Sequence, residues 1–447
     1  MKKFISKTFG LLLQDKITST NIKEKFIELK KTEKYSEKKL LNYQFIKLKR
    51  LLISSYENIP YYKNLMDEYK LDPYRISSVK DLNKLPFLNK DIARKEDLIN
   101  HNIKKVKIGK TGGTTGVPLR MIKDTNTRSY TWASYYRWYT WMGIEFGDPV
   151  VTIWGAPTVT YTSKKQKYRN RIASFLTNNY IINSFEIDKN NINEIVRKIK
   201  KINPKLLKGY LSSLLILADY IIKNNIKINI PLIATTTETL FPHLRKKLER
   251  AFNGQIFDQY GCGETNSIAF ESNCHNGLHI INEHVILEVV DSEGNVIYDK
   301  EGEIVITDLD NYAMPIIRYK NGDVGIISSQ KCHCSLKSSI LKKVIGRVAD
   351  TIKLKNGSKV HGVFFTDIFY ELDNPTEVQK INKFQCVQFK ENHLILKLET
   401  NDNIDVKFIN KLKNVLKAFI DNVEIESLKV IPNEKSGKFK YIKSSIE

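Results

Sequence analysis

Between residues 20 and 70 apolar side chains recur near helical spacing, with Leu40, Leu41, Phe45, Leu48 and Leu51–Leu52 on one face. Pro60 interrupts this run and is followed by Tyr61–Tyr62. From Gly109 the texture changes. Short apolar runs (Val150–Trp154, Leu206–Leu207, Leu232–Ala234) alternate with stretches of helical period, Leu214–Ile222 and the segment after Thr239 that carries Leu240, Leu244, Leu248 and Phe252. Strand–helix alternation of this kind predicts an α/β core. Residues 278–328 follow a two-residue period instead. His284–Val290, Glu303–Thr307 and Val324–Ile327 are separated by turn signals at Glu293–Gly294, Glu301–Gly302 and Asn321–Gly322, which predicts a small β subdomain at about 278–345. After Gly346 a further unit of about a hundred residues begins, enough for a domain. It shows a hairpin around Asn356–Gly357, a helix at Phe364–Leu372, strands near Gln385–Phe389 and His393–Leu398, a helix at Ile404–Phe419, and an end at Val430–Lys440. The predicted division is 1–346 and 347–447.

The 447 residues are 41% hydrophobic and 27% charged, an ordinary globular balance, but the net charge is +23. Such a charge suits an anionic partner: nucleic acid, a membrane surface or a phosphorylated small molecule. The lysines and arginines are dispersed rather than gathered in one arm, and no nucleic-acid reader module is recognisable, so a basic nucleic-acid-binding protein is the minor alternative. No apolar run is long enough to cross a bilayer. The start, MKKFISKTFGLLLQ, lacks a cleavage site after its apolar patch. It reads first as a helix packed on the body and second as an amphipathic helix in peripheral contact with a membrane. Five cysteines in so long a chain argue against a disulfide framework and for a reducing, cytoplasmic setting.

Five segments carry chemistry. Lys110-Thr-Gly-Gly-Thr-Thr-Gly-Val-Pro118 can fold its backbone N–H groups around an anion, while its glycines allow close approach and its threonines add hydroxyl donors. It lacks the Gly-Lys-Ser/Thr ending of a Walker loop. Gln259-Tyr-Gly-Cys-Gly-Glu-Thr265 follows an apolar strand end, and its Glu264 can hold Mg²⁺ against phosphate oxygens. Pro315-Ile-Ile-Arg-Tyr-Lys-Asn-Gly-Asp323 ends in an acid that can accept from both hydroxyls of a ribose. Gly346-Arg-Val-Ala-Asp-Thr-Ile-Lys353 and Ser436-Gly-Lys-Phe-Lys440 complete the series. Taken singly, each is also read as an ordinary loop or turn.

In this order and spacing the five segments resemble the motifs of the adenylate-forming superfamily, and most closely its phenylacetate–CoA ligase branch. Within that branch the chain is similar to proteins often found with capsular-polysaccharide genes. Tyr260-Gly-Cys-Gly-Glu264, His275-Asn-Gly-Leu-His-Ile280 and Asn311-Tyr-Ala-Met-Pro-Ile-Ile-Arg-Tyr-Lys320 carry the closer likeness, which runs from Glu57-Asn-Ile-Pro-Tyr-Tyr62 to Lys440. The resemblance implies an α/β fold with a large N-terminal adenylate-forming domain and a small, mobile α+β C-terminal domain, hinged just after Arg347. It implies an ATP-dependent, AMP-forming ligase that activates a carboxylic acid and passes the acyl group to a thiol, CoA first, with a carrier protein or a sugar amine as the alternative acceptor.

Residue by residue, the resemblance implies that Thr111, Gly112, Gly113, Thr114, Thr115 and Gly116 cradle phosphates. Thr236, Thr237, Glu238, Gln259 and Tyr260 would flank the adenine, with Gly261 also among the cofactor-binding residues, Glu264 would hold Mg²⁺, and Asp323 would bind the ribose beside Arg347. Lys438 would reach the α-phosphate and the acid; with Glu264 and Thr115 it forms the expected catalytic set. Two departures stand out. Ala349 occupies the usual place of a hinge acid, with Asp350 one position later, and Leu119 stands where many members have lysine. Some relatives in the branch carry a structural zinc. Cys274, His279, Cys332 and Cys334 offer four Zn²⁺ ligands here, although the first cysteine of the branch stands two places earlier, at Ser272. The other reading of these four is ordinary residues of the β subdomain. The acid pocket is expected between the helix near Trp132–Trp141, the loop around Trp154–Tyr161, and Gly209–Tyr210.

Overall fold

The computed structural model describes residues 2–110, 119–155, 172, 174–188, 190–348, 350–372, 374–400, 402–432 and 439–446. A five-stranded parallel sheet lies at its centre, in the order Asn179–Asn183, Val150–Trp154, Leu206–Tyr210, Leu232–Thr236, Gln255–Phe257. On one face Val151, Ile153, Leu207, Ile233 and Ile256 pack against the helices Ile192–Ile202, Leu211–Lys223 and Pro242–Phe252. On the other, Val150, Leu206, Leu232, Ala234 and Phe257 pack against Trp138 and Tyr139 of the helix Thr125–Trp141. Covering both faces removes any need for alternation, which is why these strands read as continuous apolar runs.

The helix Thr125–Trp141 is started by Asp124, whose carboxylate accepts from the backbone N–H of Thr127 at 2.9 Å. The helices Lys2–Thr18, Ile22–Thr32, Glu37–Asn58, Pro60–Glu68 and the short Lys90–Lys95 precede it. Pro60 sits in the first turn of Pro60–Glu68, where its missing N–H costs nothing, so it opens a helix as well as ending one. Buried charges fasten these helices to the rest. Arg137 donates to Glu283 at 2.6 Å, Thr32 donates to the same carboxylate at 2.6 Å, and Lys47 pairs with Asp310 at 2.7 Å. Asp310 also meets Nδ1 of buried His284 at 2.8 Å.

A seven-stranded antiparallel sheet runs Val285–Val290, Gly302–Asp308, Tyr319–Ile327, Ile340–Arg347, Leu278–Ile280, Ala269–Glu271, Gln259–Tyr260. It takes in the whole strand-rich stretch of the sequence and two short strands before it. After Arg347 come the hairpin Ile352–Lys353/Lys359–Val360 and the helices Gly362–Glu371 and Pro375–Lys380. A four-stranded sheet follows, ordered Asn422–Leu428, His393–Thr400, Ile381–Lys390, Ile442–Ser444, with the helix Val406–Lys417 packed on it through Phe408, Leu412 and Leu416. This part meets the parallel-sheet part at Phe241, whose ring centroid lies 5.8 Å from Phe384 and 5.0 Å from Tyr441. Among the described residues no helix is long and apolar enough to cross a membrane.

Candidate active site

The strands of the parallel sheet end together at Trp154, Tyr210, Thr236 and Phe257, and ligands of open α/β sheets gather outside such carboxyl ends. Past the third of these ends, Thr237 holds a positive φ of 73° and Glu238 accepts from Ser212 at 2.8 Å. Past the fourth, the chain leaves one sheet and enters the other at Gln259–Tyr260. Here the Tyr260 hydroxyl donates to Asp323 Oδ2 at 2.8 Å, and Asn321 Nδ2 reaches both the Tyr260 oxygen and Asp323 Oδ2 at 2.7 Å. Asp323 Oδ1 faces Arg347 Nε at 3.3 Å.

The local chain explains why Asp323 is aimed there. Glu303 pairs with Val324 but Val305 pairs with Lys320, so the partner strand carries extra residues at 321–323. Gly322 takes up the bulge at φ +79°. Asp323 then stands directly across from Arg347. Burial raises the Asp323 carboxyl above its ordinary range, and the Arg347 guanidinium pulls against that shift.

Glu264 is buried, and the Tyr319 hydroxyl donates to its Oε1 at 3.2 Å. Its loop is held tightly. Cys262 N–H bonds to Thr265 O at 2.9 Å, and a Cβ on Gly261 would come within 3.0 Å of Ser267 N. Among the described residues Glu264 makes no ion pair, and a buried carboxylate in that position suits a divalent cation. Two lysines unflagged by the sequence approach it. Lys123 donates to Gly263 O at 3.1 Å, and burial lowers its pKa. Burial also lowers the pKa of Lys90, with Glu264 opposing the shift. The available signal for Lys123 was its place on the strand directly after the glycine–threonine segment.

That segment, Thr111 to Pro118, lies outside the described residues, but its ends are joined. Val106–Lys110 and Arg120–Asp124 pair antiparallel, with Lys110 opposite Arg120. Lys438 and Ala349 also lie outside the described residues, as does most of the predicted pocket loop beyond Gly155. Next to Lys438, Lys440 pairs with Asp350 at 3.1 Å. The structure thus brings Tyr260, Glu264, Asp323 and Arg347 together.

The predicted ligand set Cys274, His279, Cys332 and Cys334 converges as well. The three Sγ atoms lie within 4.8 Å of one another, and His279 Nε2 is 3.4 Å from Cys334 Sγ. Sulfur ligands of a tetrahedral zinc stand roughly 3.8 Å apart, so the three thiols are spaced for such an ion, while His279 reaches the group at Cys334. His279 Nδ1 meets the Ser338 hydroxyl at 2.9 Å, which turns Nε2 toward the thiols. The neighbouring His275 pairs instead with Glu271 at 3.0 Å.

These elements define an α/β protein with the fold of the adenylate-forming CoA ligases. A solved 2-hydroxyisobutyryl-CoA ligase in the postadenylation state superposes with a TM-score of 0.73 at 15% identity, over 92% of this chain and 91% of that one. Residues 352–445 match the family model of the CapK C-terminal domain. Protein CapK of Staphylococcus aureus is 26% identical over 408 residues, covering 88% of this chain and 86% of its own. Phenylacetate-coenzyme A ligase of Thermus thermophilus is 23% identical over 361 residues, covering 72% and 74%. The resemblance to the phenylacetate–CoA ligase branch and to its CapK-like members is borne out.

Proposed function

We propose that this protein is an ATP-dependent, AMP-forming acid–thiol ligase. It activates a carboxylic acid as an acyl-adenylate and transfers the acyl group to CoA. The observation that carries this reading is the cluster of buried Tyr260, Asp323 and Glu264 with the half-buried Arg347 at the carboxyl edge of the parallel sheet, within an adenylate-forming fold. In this reading Asp323 receives the ribose hydroxyls. Thr236, Thr237, Glu238, Gln259 and Tyr260 flank the adenine, and Thr111–Gly116 cradle the β- and γ-phosphates. Glu264 is the residue to hold Mg²⁺, which neutralises charge on phosphate oxygens. Lys438 faces the α-phosphate and the attacking carboxylate. Losing one such donor to a transition-state oxyanion costs about 3–4 kcal/mol, so Lys438→Ala abolishes most adenylation. The boundary between the two domains falls after Gly346, and the C-terminal domain turns about a hinge just after Arg347 between the half-reactions. Zinc at Cys274, His279, Cys332 and Cys334 is structural, since four protein ligands leave no open position. The setting is cytoplasmic, where ATP and CoA are at hand.

A second acceptor, a carrier-protein thiol or a sugar amine in surface-polysaccharide assembly, is supported by the likeness of the chain to CapK. Acid-dependent exchange of labelled pyrophosphate into ATP tests the first half-reaction, and CoA, carrier protein and amino sugars offered to the loaded enzyme test the second. Exchange without thioester formation moves the reading to the second acceptor class; no exchange with any acid rejects both.

A further inference from the structure

Lys208 is the one strand residue whose chemistry the account so far leaves unused. It lies on Leu206–Tyr210, between Thr152 and Ala234 of the neighbouring strands, in the middle of the parallel sheet. Its residue is only 7% exposed. Nζ donates to the Tyr139 hydroxyl at 2.9 Å, and it sits 4.8 Å from the ring centroid of Tyr135, 5.6 Å from that of Tyr139 and 6.0 Å from that of Trp132. Among the described residues no carboxylate pairs with it. An ammonium has three N–H donors, and Tyr139 accepts one; the ring faces attract the charge but lie too far to accept the other two as hydrogen bonds. Burial lowers its pKa. As a purely structural element this is a poor choice, because an apolar side chain of similar length would fill the same space without burying a charge.

Its surroundings point to a ligand. Lys208 is two residues before the strand end at Tyr210, about 7 Å below the carboxyl edge where the nucleotide residues gather. Gln259, on the short strand that follows Gln255–Phe257, is buried. Gln259 Oε1 is itself buried with no partner among the described residues. Trp132, on the outer side, is 41% exposed. Lys208 thus places a buried cation against the rings of Tyr135, Tyr139 and Trp132, the last of which faces solvent.

We infer that Lys208 selects the acid, by binding an anionic oxygen at the end of the substrate remote from the carboxylate that is activated. The inference rests on the acid-activating function proposed above and names the substrate class: acids with an apolar or aromatic middle and a second carboxylate or similar oxygen anion. An aromatic wall alone suits a hydrocarbon acid; the cation against it does not.

Hydroxamate formation in the presence of hydroxylamine reads acyl-adenylate without needing the natural acceptor. Matched pairs are phenylacetate against 4-carboxyphenylacetate and hexanoate against hexanedioate. The wild-type protein is expected to favour the two-anion member of at least one pair by about tenfold or more in kcat/KM, mostly through KM. Lys208→Met is expected to bring that ratio close to one, and Lys208→Arg to recover part of it. The Tm of Lys208→Met should equal or exceed that of the wild type. A wild-type preference for the hydrocarbon acids, a ratio unmoved by Lys208→Met, or a Lys208→Met protein that fails to fold each overturns the inference while leaving acid activation in place. Hydroxamate from no acid at all overturns acid activation and the inference with it.

Discussion

Replacing Asp323 by asparagine removes one negative charge at nearly constant volume. In the structure Asp323 Oδ2 accepts from Tyr260 at 2.8 Å and from Asn321 at 2.7 Å. An amide oxygen can keep both, so the strand bulge and the Tyr260 ring stay in place. What changes is the side facing Arg347, 3.3 Å from Oδ1, and the reception of two ribose hydroxyls. A hydrogen bond to a charged group contributes about 1.5–3 kcal/mol, against about 0.5–1.5 kcal/mol for a neutral one. For two hydroxyls the loss is about 2–3 kcal/mol, which corresponds to an affinity for ATP lower by roughly 30- to 150-fold. The ribose is bonded alike before and during the reaction, so the loss falls on KM for ATP and leaves kcat near its original value. Initial rates of acid-dependent pyrophosphate exchange across a range of ATP concentrations measure this directly. A KM for ATP within twofold of wild type refutes the ribose assignment, and a fall in kcat at constant KM moves Asp323 into the chemistry.

Protein purified without chelators should contain about one zinc per chain, lost in Cys332→Ser together with several degrees of Tm; metal analysis finding no zinc at any stoichiometry rejects the site. Arg137→Met leaves Glu283 buried without its partner at 2.6 Å, so denaturant unfolding should show a loss of about 3–5 kcal/mol, and a loss below about 1 kcal/mol contradicts that. Burial, with Glu271 nearby, pushes the Asp258 carboxyl up to about 7. The folded protein then holds a proton between pH 4 and 7 that the unfolded chain has released, so this group's stabilising contribution declines as pH rises across that window. Asp258→Asn should flatten the corresponding slope of Tm against pH, and an unchanged slope assigns the proton elsewhere.

The parts of this molecule that were legible in its sequence are those set by short-range rules. Leu244, Leu248 and Phe252 lie on one buried face of the helix Pro242–Phe252. Turn signals such as Asn321–Gly322 mark backbone that adopts a positive φ, although here the turn is a bulge within a strand. Tyr260, Glu264, Asp323 and Arg347 could be named because each stands in a short motif that resembles one of a known family. What depends on distant partners was not legible. The pairing of Glu283 with Arg137 and Thr32 joins segments far apart in the chain, and nothing at any of the three positions announces it. Lys123 and Lys90 look like surface charges until the sheet places them near Glu264. Lys208 looks like a polar interruption of an apolar run until the helix Thr125–Trp141 lays its rings across it. In the C-terminal part, the helix Pro375–Lys380 and the strands Asn422–Leu428 and Ile442–Ser444 carry too few periodic residues to stand out, since their formation relies on neighbours already in the sheet. The proposed zinc ligands are intermediate. Each pair was visible as a local cluster, but the meeting of His279 with Cys334 is a property of the antiparallel sheet, in which His279 stands opposite Ile340.

The central claim is that the acid attacks the α-phosphate of ATP and becomes an acyl-adenylate. Turnover with a substrate acid labelled with ¹⁸O in its carboxylate, followed by mass analysis of the nucleotide product, tests it most directly. The account predicts AMP carrying one labelled oxygen, with unlabelled pyrophosphate. Unlabelled AMP, or ADP with the label in inorganic phosphate, contradicts it.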